Sequence, residues 1–82
     1  MKIIAGIPAY NEEKFIGKVV KETKKYVDKV IVVNDGSTDK TAKIAKNNSA
    51  IVIRHKNNKG KGIAVNKIFD KSREIKADIL VL

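Results

Sequence analysis

The segment VIVVNDGSTDKT, residues 30–41, decides the fold. Four β-branched apolar residues lead without a break into the polar run 34–39, and a helical pattern follows. An uninterrupted apolar run of this kind is typical of a strand buried on both faces of a sheet. The polar residues after it form either a plain turn that caps the next helix or a ligand site at the strand's end.

The same succession of apolar strand, polar loop and helix recurs along the chain. Strands are predicted at 2–7, where Pro8 ends the first of them, and at 29–34, 50–55 and 77–82. Helices are predicted at 14–27, with Phe15 and Tyr26 on its apolar face, at 38–47 and at 63–75. Strands that alternate with helices indicate an α/β fold with a parallel sheet. Right-handed crossovers favour the strand order 3-2-1-4 with helices on both faces, because the fourth strand then returns beside the first. That reversal creates a switch point, where open α/β sheets bind ligands.

Length and composition restrict the class of protein. Eighty-two residues allow a single small domain, and 43% hydrophobic residues predict that it folds. The chain has no cysteine, which excludes disulfides and thiolate metal sites. No apolar run approaches the roughly 18 residues of a membrane-spanning helix. We expect a cytoplasmic location, which includes the cytoplasmic face of a membrane.

The net charge of +9 is concentrated in the second half of the chain. Residues 40–69 contain eight Lys or Arg and no Asp or Glu. Such a block forms either a solvated face or a site for an anion, which could be a nucleoside diphosphate or an anionic membrane surface. Nucleic acid is the weakest candidate, because the block's one aromatic residue, Phe69, has the spacing of a core residue.

Two polar loops, PAYNEE at 8–13 and NDGSTD at 34–39, follow the first two strands. Helix capping explains part of each loop, with Asn11 capping the first helix and Ser37 or Thr38 the second. Capping does not explain Tyr10, which could stack on a nucleobase or a ribose. It also leaves Asp35 without a role. Both loops lie beside the switch point, which favours a shared ligand site.

Three motifs in order resemble the start of glycosyltransferase family 2, whose members have the nucleotide-sugar-binding, Rossmann-like GT-A fold. They are IPAYNEE at 7–13, VIVVNDGSTDKT at 30–41 and NNKGKGIAVNKIF at 57–69. The opening P-x-Y-N-E is most similar to that of the polyprenyl-phosphate (dolichyl-phosphate) mannose or glucose synthase-like enzymes. The resemblance covers essentially the whole chain and implies a nucleoside site at the switch point.

The resemblance also implies individual roles. Pro8 and Tyr10 would line the nucleobase pocket, and Glu12 would face the nucleotide. Asp35 would accept a hydrogen bond from the ring N–H of the base, while Val33, two residues earlier, would pack against it. Asn34 occupies the place where the family commonly has a first aspartate.

The same resemblance assigns roles to the glycine loop and implies a donor. Lys61 and the backbone N–H groups around Gly60 would lie near the sugar diphosphate, although a flexible helix start explains the glycines equally well. The implied donor is a UDP- or GDP-sugar, and the implied acceptor is a polyprenyl phosphate.

Arg54 and His55, at the end of the third strand, are interpreted as edge-of-sheet residues. A lone histidine is a poor metal ligand.

The sequence departs from the family after the fourth predicted strand. Members hold Mg²⁺ or Mn²⁺ with an acidic D-x-D segment at that place, and this chain stops at DILVL, residues 78–82. We therefore expect a truncated nucleotide-sugar-binding domain with no metal site and no catalytic base, inactive in isolation. The apolar edge at 78–82 predicts self-association. The open alternative is a non-catalytic basic module that binds an anionic membrane or a partner chain.

Overall fold

Four strands and three helices alternate along the chain in the computed structural model, which describes all 82 residues. They are β1 Ile3–Ala9, α1 Ile16–Thr23, β2 Lys29–Asp35, α2 Thr41–Asn47, β3 Ile51–His55, α3 Lys61–Glu74 and β4 Ile79–Val81. Every strand pair is parallel, and the order across the sheet is β3-β2-β1-β4. The predicted α/β fold and its strand order are confirmed.

Strand β2 lies at the centre of the packing and is buried on both faces. Its side chains alternate: Val30 and Val32 pack in one core with residues of α1 and α2. Ile31 and Val33 pack in a second core with residues of α3, including Ile68. This two-sided burial is the reason that the strand is apolar throughout instead of alternating with polar residues.

Strand β1 continues through Pro8 to Ala9, whereas the sequence predicted that Pro8 ends it. Strand β4 pairs only with residues 3–5 of β1, so the later part of β1 has a partner on one side only. A proline lacks the N–H that a second partner strand would need, and an unpaired side accommodates it. The first loop therefore begins at Tyr10.

Helices α1 and α2 are shorter than predicted, and α1 and α3 are less buried. Helix α1 covers only Ile16–Thr23, and within it only Ile16 and Val20 are buried. Phe15 and Tyr26, predicted on its apolar face, are 63% and 80% exposed. The prediction that Phe69 is a core residue was wrong, since α3 turns Ala64 and Ile68 to the sheet and leaves Phe69 largely in solvent. No helix of this structure has the length and apolar character needed to cross a bilayer.

Candidate functional site

The loops after β1 and β2 lie side by side and are joined by hydrogen bonds. The backbone N–H of Asn11 donates to Ser37 Oγ at 2.8 Å, and the N–H of Thr38 donates back to Asn11 Oδ1 at 2.9 Å. Farther along, the N–H of Glu12 donates to Thr41 Oγ1 at 2.9 Å. The two strands are adjacent and parallel, so their carboxyl ends bring both loops to one edge of the sheet.

A second set of bonds between the same loops involves carboxylates. Asp39 Oδ2 accepts from the N–H of Glu13 at 3.2 Å, and Glu13 Oε2 accepts from the N–H of Lys40 at 3.0 Å. Asp39 Oδ1 accepts from the N–H of Thr41 at 2.9 Å and also from its hydroxyl. These contacts hold the PAYNEE loop in a fixed position relative to the end of β2.

The capping roles predicted for the two loops were wrong. Neither α1 nor α2 has a side-chain hydrogen bond from its N-cap residue. The Asn11 side chain bonds the neighbouring loop, with a left-handed backbone φ of 51°, and Asp39 bonds the first residue of α2. Asn, Asp and Ser side chains satisfy nearby backbone groups of any segment, and tertiary proximity decided which one.

Asp35 is the last residue of β2, and its carboxylate is surrounded by donors. The residue is only 5% exposed. Oδ1 accepts from the backbone N–H of Lys59 and from Nδ1 of His55, both at 2.9 Å. Oδ2 accepts from the N–H of Gly60 at 2.9 Å. Asp35 therefore links β2 to the end of β3 and to the loop that leads into α3.

These donors favour the ionised form of Asp35. The N–H of Lys59 and the ring of His55 lower the pKa of Asp35 below its ordinary value of 3.8, against burial, and the N–H of Gly60 adds to the effect. An ionised carboxylate only accepts hydrogen bonds, so Nδ1 of His55 must carry the proton that it shares with Asp35. His55 Nε2 is buried and has no partner in the protein.

The contribution of His55 was missed in the sequence. It was interpreted as an edge-of-sheet residue, and it does end the edge strand β3, but it is only 7% exposed. The sequence placed the two residues only near neighbouring strand ends, since His55 ends the third predicted strand and Asp35 follows the second. The register that pairs them directly appears only in the folded sheet. Arg54, its neighbour, is exposed as expected.

A cavity of about 340 Å³ opens at the switch point between these loops. It is lined by five of the six predicted site residues, Pro8, Tyr10, Glu12, Asp35 and Lys61, together with Ala9, Asn58, Gly60 and Ala64. The apolar wall comes from the end of β1 and from α3, and the polar groups converge from three different loops. An open apolar pocket with a few convergent polar groups is the usual form of a small-molecule site.

The sixth residue, Val33, lies beneath the cavity and does not line it. Its side chain is fully buried in the core shared with α3, so its contact with a base stays a prediction. Asn34 faces the opposite side of the sheet from Asp35, and its buried Oδ1 has no partner. A neutral amide is less costly to bury there than a second, unpaired carboxylate would be.

Lys61 begins α3 at the rim of the cavity. The preceding residue, Gly60, has a φ of 93°, and its backbone N–H donates a hydrogen bond to Asp35 Oδ2. The Lys61 side chain is exposed, and no carboxylate lies within ion-pair distance of it. A cation and a helix start at one rim favour an anionic group of a ligand at that side.

Comparison with known proteins agrees with this architecture. The sequence model of glycosyl transferase family 2 matches residues 5–74. This chain belongs to glycosyl transferase family 2. It is 41% identical over 93 aligned positions to the UDP-N-acetylglucosamine–dolichyl-phosphate N-acetylglucosaminyltransferase of Methanococcus voltae, covering 92% of this chain and 37% of that enzyme.

Solved structures of other proteins share the fold. A mycobacterial protein superposes with a TM-score of 0.81 at 31% identity, over 96% of this chain and 29% of that one. Glucosyl-3-phosphoglycerate synthase from Mycobacterium tuberculosis, crystallised with Mn²⁺, UDP-glucose and phosphoglyceric acid, has a TM-score of 0.68 at 32% identity, covering 78% of this chain and 27% of the enzyme. The fold is therefore the Rossmann-like GT-A fold that the motifs predicted. The chain spans about a quarter to a third of these relatives' lengths.

The residues of this family 2 chain do not form a divalent-metal site. No group of three or more His, Asp or Glu side chains comes together in the structure. Two carboxylates, Glu12 and Asp35, line the cavity, and Asp35 already accepts three hydrogen bonds from the protein. A hard cation needs several free oxygen ligands, which these residues do not supply.

Acid should destabilise this family 2 chain through Asp35 and Asp39. Burial raises the pKa of Asp39, but the hydroxyl and N–H of Thr41 and the N–H of Glu13 outweigh it, so the pKa lies below 3.8. A carboxylate whose pKa is lowered by folding contributes stability that is complete above its unfolded pKa and is lost as the pH falls through the folded pKa.

We therefore expect the urea midpoint to be steady from about pH 7 to about pH 5 and to fall between about pH 4 and pH 3. Equilibrium unfolding followed by circular dichroism at each pH measures this. The double substitution Asp35→Asn and Asp39→Asn should flatten the acid limb. A limb of unchanged steepness in that variant would assign the acid sensitivity to other carboxylates.

Proposed function

We propose that this chain is the nucleotide-binding part of a glycosyltransferase that uses a UDP- or GDP-sugar donor. The observation that carries the proposal is the cavity at the switch point, which Tyr10 lines from the loop after β1 and Asp35 from the end of β2. An aromatic ring and an ionised carboxylate in one apolar pocket suit a nucleobase, which offers a flat face and a polar edge.

The chemistry of the pocket restricts the base. Tyr10 is 47% exposed and offers its ring for stacking. Asp35, held ionised, can only accept a hydrogen bond. Uracil and guanine carry a ring N–H at the edge that would meet Asp35, whereas cytosine and adenine have a bare ring nitrogen there. We therefore propose UDP- or GDP-linked donors in preference to CDP- and ADP-linked ones, whose bare ring nitrogen would face the carboxylate, with Lys61 beside the diphosphate.

The acceptor is proposed from the relatives. The Methanococcus voltae enzyme is named for transfer from UDP-N-acetylglucosamine to dolichyl phosphate, and the Mycobacterium tuberculosis enzyme was crystallised with UDP-glucose. We propose a sugar donor of this class and a polyprenyl phosphate acceptor for the whole enzyme. Metal binding and catalysis would require residues that these 82 do not include, so the isolated chain should bind a nucleotide without turning it over.

Nucleotide titration of the isotope-labelled chain tests the proposal. We expect UDP or GDP to bind in the millimolar range and to shift the amide resonances of Tyr10, Asp35 and Gly60, whereas CDP and ADP should bind at least about tenfold more weakly, because they lack the ring N–H. Added Mg²⁺ should change the affinity little. The contradictory outcome is a set of amide shifts that is centred on residues 54–62, is equal for all four nucleotides and disappears when salt is added. In that case Asp35 does not recognise the base.

That contradictory outcome would favour the second candidate, a basic module. Its basis is a basic surface of eight exposed cations that form no ion pair, Lys40, Lys43, Lys46, Arg54, Lys56, Lys59, Lys61 and Lys67. A partner for it would be an anionic membrane. Self-association through the exposed Ile79, Val81 and Leu82, and a cytoplasmic location, stay predictions.

A further inference from the structure

The two oxygens of the Asp35 carboxylate are not equivalent. Oδ1 accepts two protein donors, Nδ1 of His55 and the N–H of Lys59, whereas Oδ2 accepts only the N–H of Gly60. A carboxylate offers about two acceptor positions on each oxygen. The protein therefore fills Oδ1 and leaves one position open on Oδ2. A base that donates its ring N–H to Asp35 must use Oδ2.

The orientation of this carboxylate depends on its hydrogen bonds. Rotation of an aspartate carboxylate about its last torsion has only broad preferences, so packing alone does not select which oxygen faces the cavity. Two of the three donors are backbone N–H groups of the same exposed loop, at Lys59 and Gly60. His55 is the one donor that belongs to the sheet, where it pairs directly with Asp35.

We infer that His55 is a positioning residue for nucleobase recognition: its Nδ1–H holds Oδ1 and thereby presents Oδ2 to the ring N–H of the base. The inference rests on the proposed nucleotide site. His55 is 7% exposed and does not line the cavity, so it acts through Asp35 and not by touching the ligand. Its buried location in the sheet keeps the bond independent of movements in the loop.

The geometry of the bond defines a matched pair of variants. The amide nitrogen of asparagine lies two bonds beyond Cβ, as Nδ1 of histidine does, whereas the amide nitrogen of glutamine lies one bond farther out, like Nε2. His55→Asn should therefore keep a donor at Oδ1, and His55→Gln should lose it. Both variants are neutral amides, so a difference between them reports the position of the donor and not the polarity of the site.

The readout is the discrimination between a nucleotide and its N-methylated analogue, measured by NMR titration. The pair is UDP with N3-methyl-UDP, or GDP with N1-methyl-GDP, whichever base the wild-type chain binds. The methyl group removes the N–H and leaves stacking and diphosphate contacts in place. Wild type should prefer the unmethylated nucleotide by at least about tenfold. His55→Asn should keep most of that ratio, and His55→Gln should reduce it to about twofold or less.

A purely structural role gives a different result. If His55 only supported the loop, His55→Gln would weaken both nucleotides equally, the ratio would remain near tenfold, and the inference would be overturned. Loss of the ratio in both variants would also overturn it, since the position of the donor would then not matter. A wild-type chain that does not discriminate would instead refute base reading by Asp35, and with it the proposed function.

Discussion

Replacing Gly36 with alanine is expected to lower the free energy of unfolding by about 2–5 kcal/mol, a large fraction of the total stability. Gly36 has φ of 77°, and a Cβ there would lie 2.4 Å from the backbone N of Asn58 and 2.6 Å from the carbonyl carbon of Asn57. The left-handed conformation costs an alanine about 1–2 kcal/mol, and the overlap with backbone adds about 1–3 kcal/mol. A chain of this size has only about 4–12 kcal/mol of stability in total.

Two other glycines separate these costs. Gly60 also has a positive φ, 93°, with ψ of 159°, a region that only glycine adopts readily, and no atom lies within 4 Å of its Cβ position, so Gly60→Ala should show a conformational cost without overlap. Gly62 lies in α3 with open space around it, and Gly62→Ala should be neutral or stabilise by up to about 1 kcal/mol. Urea unfolding measures the three variants. A loss of about 1 kcal/mol or less for Gly36→Ala would show that the close approach to the loop costs nothing.

The second large effect is expected from Asp35→Asn, which should reduce nucleotide affinity at least about tenfold. The substitution keeps the shape of the side chain but replaces one carboxylate oxygen with an NH₂ group. In either orientation that group faces N–H donors, from Gly60 on one side or from Lys59 and His55 on the other. The loop should therefore detach, and the amides of Lys59 and Gly60 should lose protection from hydrogen exchange.

Asp39→Asn is the matched control for this prediction. Asp39 is also an aspartate whose pKa is lowered by backbone and hydroxyl donors, but it does not line the cavity. Its substitution should lower the free energy of unfolding and leave nucleotide affinity within about threefold of wild type. Titration and hydrogen exchange on both variants distinguish a binding role from a stabilising one. Equal losses of affinity in the two would attribute the effect of Asp35→Asn to general loosening.

Local sequence determined the sheet and the location of the site. The uninterrupted apolar runs require burial on both faces of the sheet. Short loops between strands and helices restrict the connections to parallel ones, and right-handed crossovers then favour the order β3-β2-β1-β4 that the structure has. Tyr10 directly follows β1 and Asp35 ends β2, and parallel strands end at a common edge. Their meeting in one cavity was predictable for that reason.

Tertiary structure decided what the polar side chains bind and how deeply the helices are buried. Asn11 was predicted to cap its own helix and instead bonds the neighbouring loop, because strand pairing placed a backbone N–H of that loop within reach. Phe15 and Phe69 have helical apolar spacing but remain exposed, since each helix offers the sheet only a narrow stripe. His55 is buried against Asp35 through a strand register that no local pattern encodes. Hydrophobic periodicity can be recognised within a single element of the sequence. The hydrogen-bond partner of a polar side chain, in contrast, often belongs to an element that is distant in the chain and becomes adjacent only in the folded structure.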